Sequence, residues 1–196
     1  MLQKDMWANY YKAKENNPPS KLLVDAIQYV KVKNKVLELG AGGLVDAKFL
    51  LEQGFDVVAI DSSPASAKLA EEIKNEHFSF IQSEYFYYDF KSDFFDLVSA
   101  QLALPFSAQE TFFQLFENIK KSLKPEGVFT GHFFGINDEW NDGKSKMTFH
   151  TKEQVENLLQ GLTVIKLVEK ESDKKTALGK LKHWHQFFVI AKKGHD

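Results

Sequence analysis

Residues 36–61 read VLELGAGGLVDAKFLLEQGFDVVAID, and the order of pieces within them restricts the fold more than any other part of the chain. Val36, Leu37 and Leu39 make a short apolar strand, and the glycines of Gly40-Ala41-Gly42-Gly43 let the backbone turn sharply and approach a ligand. Ala47, Phe49, Leu50 and Leu51 recur on one helix face, and Gly54 stops that helix. Residues 55–60 form the next buried strand and leave Asp61 at its carboxyl end, where ligands bind in open parallel sheets. Strand, glycine turn, helix, strand and acid in this order describe a nucleoside-binding crevice, with Asp61 placed to accept both hydroxyls of a ribose.

A dinucleotide fingerprint would need glycine at position 45, which is Val45, so the residue that permits close helix packing in that motif is missing. Glu38 argues the same way: a fixed negative charge beside the turn repels a diphosphate and suits an ammonium group. Glu38-Leu39-Gly40-Ala41-Gly42 resembles the first motif of the class I S-adenosylmethionine-dependent methyltransferases, which usually reads acid, apolar residue, G-x-G-x-G. The last glycine of that motif falls on Leu44, so either the turn leaves the crevice differently or the leucine side chain points away from the methionine moiety. The resemblance implies a doubly wound, Rossmann-like α/β fold with helices on both faces of a mostly parallel seven-stranded sheet. Its strand order would be 3-2-1-4-5-7-6, the last strand antiparallel. It also implies S-adenosylmethionine as cofactor, S-adenosylhomocysteine as product, and a glycine-turn and ribose set of Glu38, Gly40, Ala41, Gly42, Asp61, Ser62 and Ser63.

Composition agrees with an enzyme of one domain. The 196 residues suffice for one sheet covered on both faces and fall short of two ordinary enzyme domains, so 1–196 is read as a single domain: 1–30 cover the cofactor and 31–196 form the sheet and helices. A net charge of −2 and the lack of a long basic run supply no footprint for a phosphate backbone, which speaks against nucleic acid. There is no cysteine, hence no disulfide, thiolate metal site or cysteine nucleophile for pyrimidine-carbon methylation. Neither a signal peptide nor an apolar run of the roughly 18 residues a membrane span needs is apparent, and the expectation is a cytoplasmic monomer or homodimer.

The remaining pattern alternates strands and helices. Ser63-Pro64 reads as an N-cap and first helical residue for a helix over 65–75. Strands are expected at 78–82, 95–100, 127–134, 162–168 and 184–191. Ser107 to Glu110 and Thr151 to Gln154 read as capping boxes opening two further helices, the first packing Phe112, Phe113 and Phe116 into the core. The charged run 170–182 reads as a solvated turn between the closing strands, and the polar residues 137–143 as an exposed loop around Trp140.

The methyltransferase resemblance carries further residues. It gives Glu84 the role of the acid that meets the adenine amino group, with Asp89 as a competitor, and sets Tyr85 beside the adenine edge. Gln101 opens the segment where cofactor and acceptor meet, and it departs from the Asn- or Asp-led motif of enzymes that methylate nucleic-acid bases. Several segments look like tellurite-resistance-type small-molecule methyltransferases. This likeness places Trp7, Tyr10 or Tyr11 on a flap over the cofactor, starts the covering helix at Pro19-Ser20, and uses the Trp140 loop to shape the acceptor pocket. The implied reaction is attack by a soft nucleophile, such as a thiol or a selenium or tellurium oxyanion, in line with departing S-adenosylhomocysteine. Where the acceptor needs a base, histidine is the natural choice, and His132 on the fifth strand and Trp140 are the catalytic candidates. His183 and His185 share one face of an extended segment but have no clear third ligand, so no metal site is assigned. The alternatives are a non-catalytic S-adenosylmethionine-binding protein and a nucleotide-dependent oxidoreductase.

Overall fold

The computed structural model describes Tyr11 and residues 17–195, so Trp7 and Tyr10 lie outside the described residues. Seven strands, β1 (Lys35–Leu39), β2 (Asp56–Asp61), β3 (Phe78–Gln82), β4 (Phe95–Ala100), β5 (Leu123–Gly135), β6 (Leu162–Lys175) and β7 (Leu181–Lys193), lie in the order β3-β2-β1-β4-β5-β7-β6. β7 runs antiparallel to both of its neighbours, as expected. The two-residue strand Phe149–His150 pairs with the end of β5 and makes the sheet eight-stranded rather than seven-stranded. Five helices with fully described bounds pack against it: α1 (Lys21–Ala26), α2 (Val45–Glu52), α3 (Pro64–Ala70), α4 (Gln109–Ser122) and α5 (Lys152–Leu158).

Alternation along β1 sets the two cores. Val36 packs with α1 and α2 residues such as Leu23 and Leu50, whereas Leu37 packs with Phe112, Phe116 and Ile119 of α4 and Val155 of α5. Each such side chain, fully removed from water, contributes about 1.5–3 kcal/mol. Because β2 pairs on one side of β1 and β4 on the other, the chain reverses direction across the sheet at β1, and a crevice opens above its carboxyl end. The glycine turn that follows β1 stands at that switch point.

Local signals were followed where nothing tertiary competed. Ser63 accepts from the Ala65 amide at 3.2 Å with Pro64 opening α3, although the helix ends at Ala70 rather than running to residue 75. The Thr151 capping box forms in both directions, at 3.2 and 2.8 Å. The Ser107 box does not form. A 3-10 turn over Leu104–Phe106 moves the cap to Ala108, and the Ser107 carbonyl is held instead by the Thr148 hydroxyl at 2.7 Å. In α4, Phe112 and Phe116 are buried as expected, while Phe113 is 65% exposed, because it lies about 100° around the helix from Phe112, outside the buried stripe.

The largest departure is the closing hairpin. β5 pairs with β7 from Val128↔Lys192 only as far as Phe134↔Gln186, yet β6 and β7 stay paired out to Lys175↔Leu181. An arm of two strands therefore continues past the carboxyl end of β5, and the run 170–182 is mostly strand, with its turn confined to residues 176–180. Cross-strand pairs support this: His183 faces and hydrogen-bonds Asp173, and His185 faces Glu171, across the ladder. Gly135 lets the arm close onto β5, since a Cβ there would lie 2.2 Å from Nδ1 of His185. That ring accepts the Asn137 amide proton at Nδ1 and donates from Nε2 to Glu169, and cannot swing aside without losing both bonds. Gly135→Ala should accordingly lower stability by about 1–3 kcal/mol. Urea denaturation measures this, and an unchanged midpoint would show the ring free to move.

Candidate functional site

The turn after β1 is built for close approach to the sheet edge. Gly40 and Gly42 have φ of 69° and 51°, and a Cβ on Gly40 would fall 2.5 Å from the Ala103 Cβ, so that position must lack a side chain. The amides of Gly40 and Ala41 both donate to the Ile60 carbonyl, at 2.8 and 3.0 Å, which ties the turn to the end of β2. Leu44 takes a left-handed φ of 60° and is fully buried. Its backbone does what a glycine would do, and its side chain turns into the α1–α2 core, away from the crevice.

Two carboxylates flank this turn. Asp61, at the tip of β2, accepts from the Gly42 amide at 2.8 Å, the Ser63 amide at 2.8 Å and the Tyr11 hydroxyl at 3.5 Å. Burial nevertheless raises its pKa, against those three bonds. Glu38 is 4% exposed, and its Oε2 has no hydrogen-bond partner among the described residues. Burial first, and then the charges of Asp46 and Asp61, push its pKa well above the ordinary value. A buried carboxylate oxygen without a donor, with two further carboxylates nearby, fits a cationic group and rejects an anionic one. Asp46 was not picked out in the sequence, because an acid in the first turn of a helix ordinarily serves the helix dipole.

The other expected residues divide into those that face the turn and those that brace it. Tyr11 is buried against Gly42 and Gly43, with its ring 3.0 Å from where a Gly42 Cβ would stand. Ser63 spends its side chain on the α3 cap, and Ser62 is exposed. Glu84 and Asp89 are both exposed, and Glu84 precedes the 3-10 turn Tyr85–Tyr87. The Tyr85 side chain turns to the loop after β4, where its hydroxyl donates to the Ala103 carbonyl at 2.8 Å, and burial pushes its pKa up to about 12. The Gln101 amide is committed inside the protein: Nε2 donates to Ser99 at 3.1 Å and Oε1 accepts from the Ser20 hydroxyl at 2.9 Å. Ser20 also donates its amide to Asp46, so the start of α1 is bolted to both halves of the crevice.

His132 and Trp140 meet opposite ends of that same loop. The Leu102 amide points at His132 Nδ1 at 3.4 Å, the ring lies edge-on to Phe188, and burial lowers its pKa to about 4. The imidazole is thus neutral at ordinary pH, with Nδ1 accepting and the proton on Nε2, an arrangement that presents a donor rather than a base. Trp140 is half-buried rather than out on an exposed loop. Its ring packs on Phe106, Phe134 and Trp184, and Asp138 beside it is 3% exposed. His183 and His185 pair with acids of β6, and no cluster able to hold a metal occurs among the described residues.

Residues 37–130 match the methyltransferase domain family. No curated protein matches the sequence. Among solved structures, the Burkholderia thailandensis 1,6-didemethyltoxoflavin-N1-methyltransferase, with 1,6-didemethyltoxoflavin and S-adenosylhomocysteine bound, is 21% identical at a TM-score of 0.68, covering 88% of this chain and 76% of that one. A Haloferax volcanii complex of the Trm112 methyltransferase activator with a methyltransferase matches at 19% identity and a TM-score of 0.74, covering 98% and 96%. TehB from Haemophilus influenzae matches at 18% and 0.71, covering 87% and 61%. At these identities the likenesses establish the fold. With the family match over residues 37–130, they agree with S-adenosylmethionine as the cofactor.

Glu38 makes the crevice sensitive to pH. Its raised folded-state pKa means that, from the ordinary carboxylate range up to the raised value, the folded chain holds a proton the unfolded chain has lost, so this contribution to stability falls as pH rises. A cationic ligand group favours the ionised form and reverses that preference. S-adenosylhomocysteine, which carries an ammonium, should therefore bind with proton release and tighten as pH rises through the window. Calorimetry in buffers of different ionisation enthalpy should show this in the wild type and a flat profile in Glu38→Gln; identical profiles would remove Glu38 from the site.

Proposed function

We propose that this chain transfers a methyl group from S-adenosylmethionine to a small-molecule acceptor by in-line displacement. The observation that carries the reading is the pair of desolvated carboxylates, Glu38 and Asp61, on either side of a glycine turn that has no room for a side chain. In this assignment Asp61 holds the ribose hydroxyls, exchanging its Tyr11 contact for them, and Glu38 receives the ammonium of the methionine moiety. Gly40, Ala41 and Gly42 supply bare backbone, Ser62 and Ser63 line the ribose side through their backbone, and Glu84 and Tyr85 border the adenine. Gln101 acts through the loop it anchors.

When bound, the cofactor supplies a methyl group already made electrophilic by its sulfonium. The protein's part is to hold the acceptor near attack distance, an effect worth up to about 7–11 kcal/mol in favourable cases. The loop after β4 suits that task, being pinned by Tyr85 at Ala103, by Gln101 to Ser20 and by the Leu102 amide to His132. His132, neutral and carrying its proton on Nε2, can orient an acceptor by donating to it. An acceptor with an available lone pair needs no base, and thiols and selenium or tellurium oxyanions belong to that class. The bound 1,6-didemethyltoxoflavin of the Burkholderia neighbour supports a small-molecule acceptor. We assign the protein to the cytoplasm, as a monomer or homodimer.

Two experiments test this reading. Asp61→Ala should weaken S-adenosylhomocysteine binding by about 1.5–3 kcal/mol, the worth of charge-assisted hydrogen bonds lost from a buried site. Unchanged affinity by calorimetry would contradict the ribose assignment. Tritiated-methyl transfer to thiols, selenite, tellurite and thiopurines separates a transferase from a protein that only binds the cofactor, and binding of NAD with none of S-adenosylhomocysteine would return the oxidoreductase.

A further inference from the structure

Behind Trp140 the protein encloses an ammonium group. The Lys182 and Asp138 side chains are 1% and 0% exposed and meet at 2.5 Å. The Lys182 Nζ sits 3.7 Å from the centroid of Trp184, 4.3 Å from Trp140 and 5.2 Å from Phe134, and donates also to the His183 carbonyl at 3.3 Å. Asp138 accepts in addition from the amides of Trp140 at 3.0 Å and His185 at 3.2 Å. Two separate pieces of chain, the loop after β5 and the arm of β6 and β7, are thereby locked together through one charge pair and three rings. Desolvation makes the pair costly to break by removing one partner. Cation–π contact with a buried ammonium fixes the ring planes around it.

The face this assembly supports stands beside the loop after β4. Trp140 packs on Phe106 with ring centroids 6.3 Å apart and planes tilted by 56°, and Phe106, 39% exposed, is two residues beyond Leu104 on the loop whose Ala103 touches the Gly40 turn. Its chemistry is neutral and aromatic. Lys182 is already matched by Asp138, His132 is uncharged, and the chain contains no arginine, all 25 of its basic residues other than histidine being lysine. An oxyanion brought to such a wall would leave water without finding a bidentate or matched cation. A flat uncharged ring would instead gain stacking contact and lose little hydration.

We propose, resting on the methyltransferase reading, that the acceptor is a neutral planar heteroaromatic molecule that stacks on the Phe106–Trp140 wall, and that Lys182 is a positioning residue holding that wall in place. The reacting lone pair belongs to a nitrogen or sulfur of that molecule. It forms the new bond to the methyl carbon as the carbon–sulfonium bond breaks, the electron pair of the latter returning to sulfur, and any proton on the acceptor atom goes to solvent.

The test uses full-length protein saturated with S-adenosylhomocysteine at pH 8, titrated with quinoline and benzimidazole as planar probes and with selenite and tellurite as oxyanions, reading tryptophan fluorescence. Both planar probes should quench and compete with each other, and neither oxyanion should displace them. In Trp140→Ala and in Lys182→Met the planar probes should bind about tenfold more weakly, the loss of one aromatic contact, while S-adenosylhomocysteine affinity is unchanged. Lys182→Met should also lose the exciton signal of the Trp140–Trp184 pair in circular dichroism. Trp140→Ala preserves the test if the lysine variant fails to fold. Failure of S-adenosylhomocysteine to bind the wild type would end the methyltransferase reading itself. With that ligand bound, absence of quenching by either planar probe, displacement by tellurite, or undiminished planar binding in Trp140→Ala would overturn this proposal alone.

Discussion

The structure turns on carboxyl groups buried beside the glycine turn, one of which, Glu38, burial drives toward its protonated form. Parallel pairing of β1 with β2 sets Glu38 beside Ala59 and carries Asp61 to the next strand tip, so two carboxylates are buried at neighbouring ends of one sheet. Asp61 is partly compensated by the amides of Gly42 and Ser63, but Glu38 Oε2 has no donor among the described residues, and Asp46 adds a further carboxylate to the same field. Folding therefore concentrates unfavourable electrostatics where the chain reverses direction across the sheet. A cationic ligand relieves it, and a diphosphate would add to it. On the proposed reading, the preference for a sulfonium and ammonium compound over a dinucleotide lies in the protein's own charge arrangement.

The same turn shows how a departure from a motif can be absorbed. A left-handed leucine costs on the order of 1–2 kcal/mol, and complete burial of its side chain contributes about 1.5–3 kcal/mol. Leu44 therefore keeps the backbone path a glycine would take while adding to the α1–α2 core. Of the two ways out that the sequence left open, the chain uses the one that leaves the crevice unobstructed.

Legibility followed the range of the forces involved. The glycine turn, the strand that ends at Asp61, the Ser63-Pro64 start and the Thr151 box are set by residues within a few positions of each other, and all could be read directly. Ser107 could not: a 3-10 turn over Leu104–Phe106 moves the cap to Ala108, and the Ser107 carbonyl is held by Thr148, 41 positions away. The run 170–182 misled for a related reason. Composition counts charges but cannot see that Glu171 and Asp173 have histidines across a ladder, or that Lys182 has Asp138 in a box of rings. Gln101 and Tyr85 were expected near the cofactor, and their side chains are spent on holding the loop after β4, a use that residue type does not reveal.

This use of side chains bears on how chemistry and specificity are distributed. The match to the methyltransferase domain family runs from residue 37 to residue 130 and so covers the glycine turn, both carboxylates and the loop after β4. It stops before His132, the Trp140 loop and the arm, which lie on the last stretch of β5 and beyond. On the proposed reading, cofactor binding depends on backbone geometry and charge at strand ends, demands that are the same for every acceptor. The wall behind Trp140 depends on side chains packed between a loop and a hairpin that outruns the sheet, and such a wall can be remade without moving a strand of the core. The Lys182–Asp138 pair is what allows that freedom here: it substitutes a short charge-assisted bond and three ring contacts for the sheet pairing that the arm loses when it passes the end of β5.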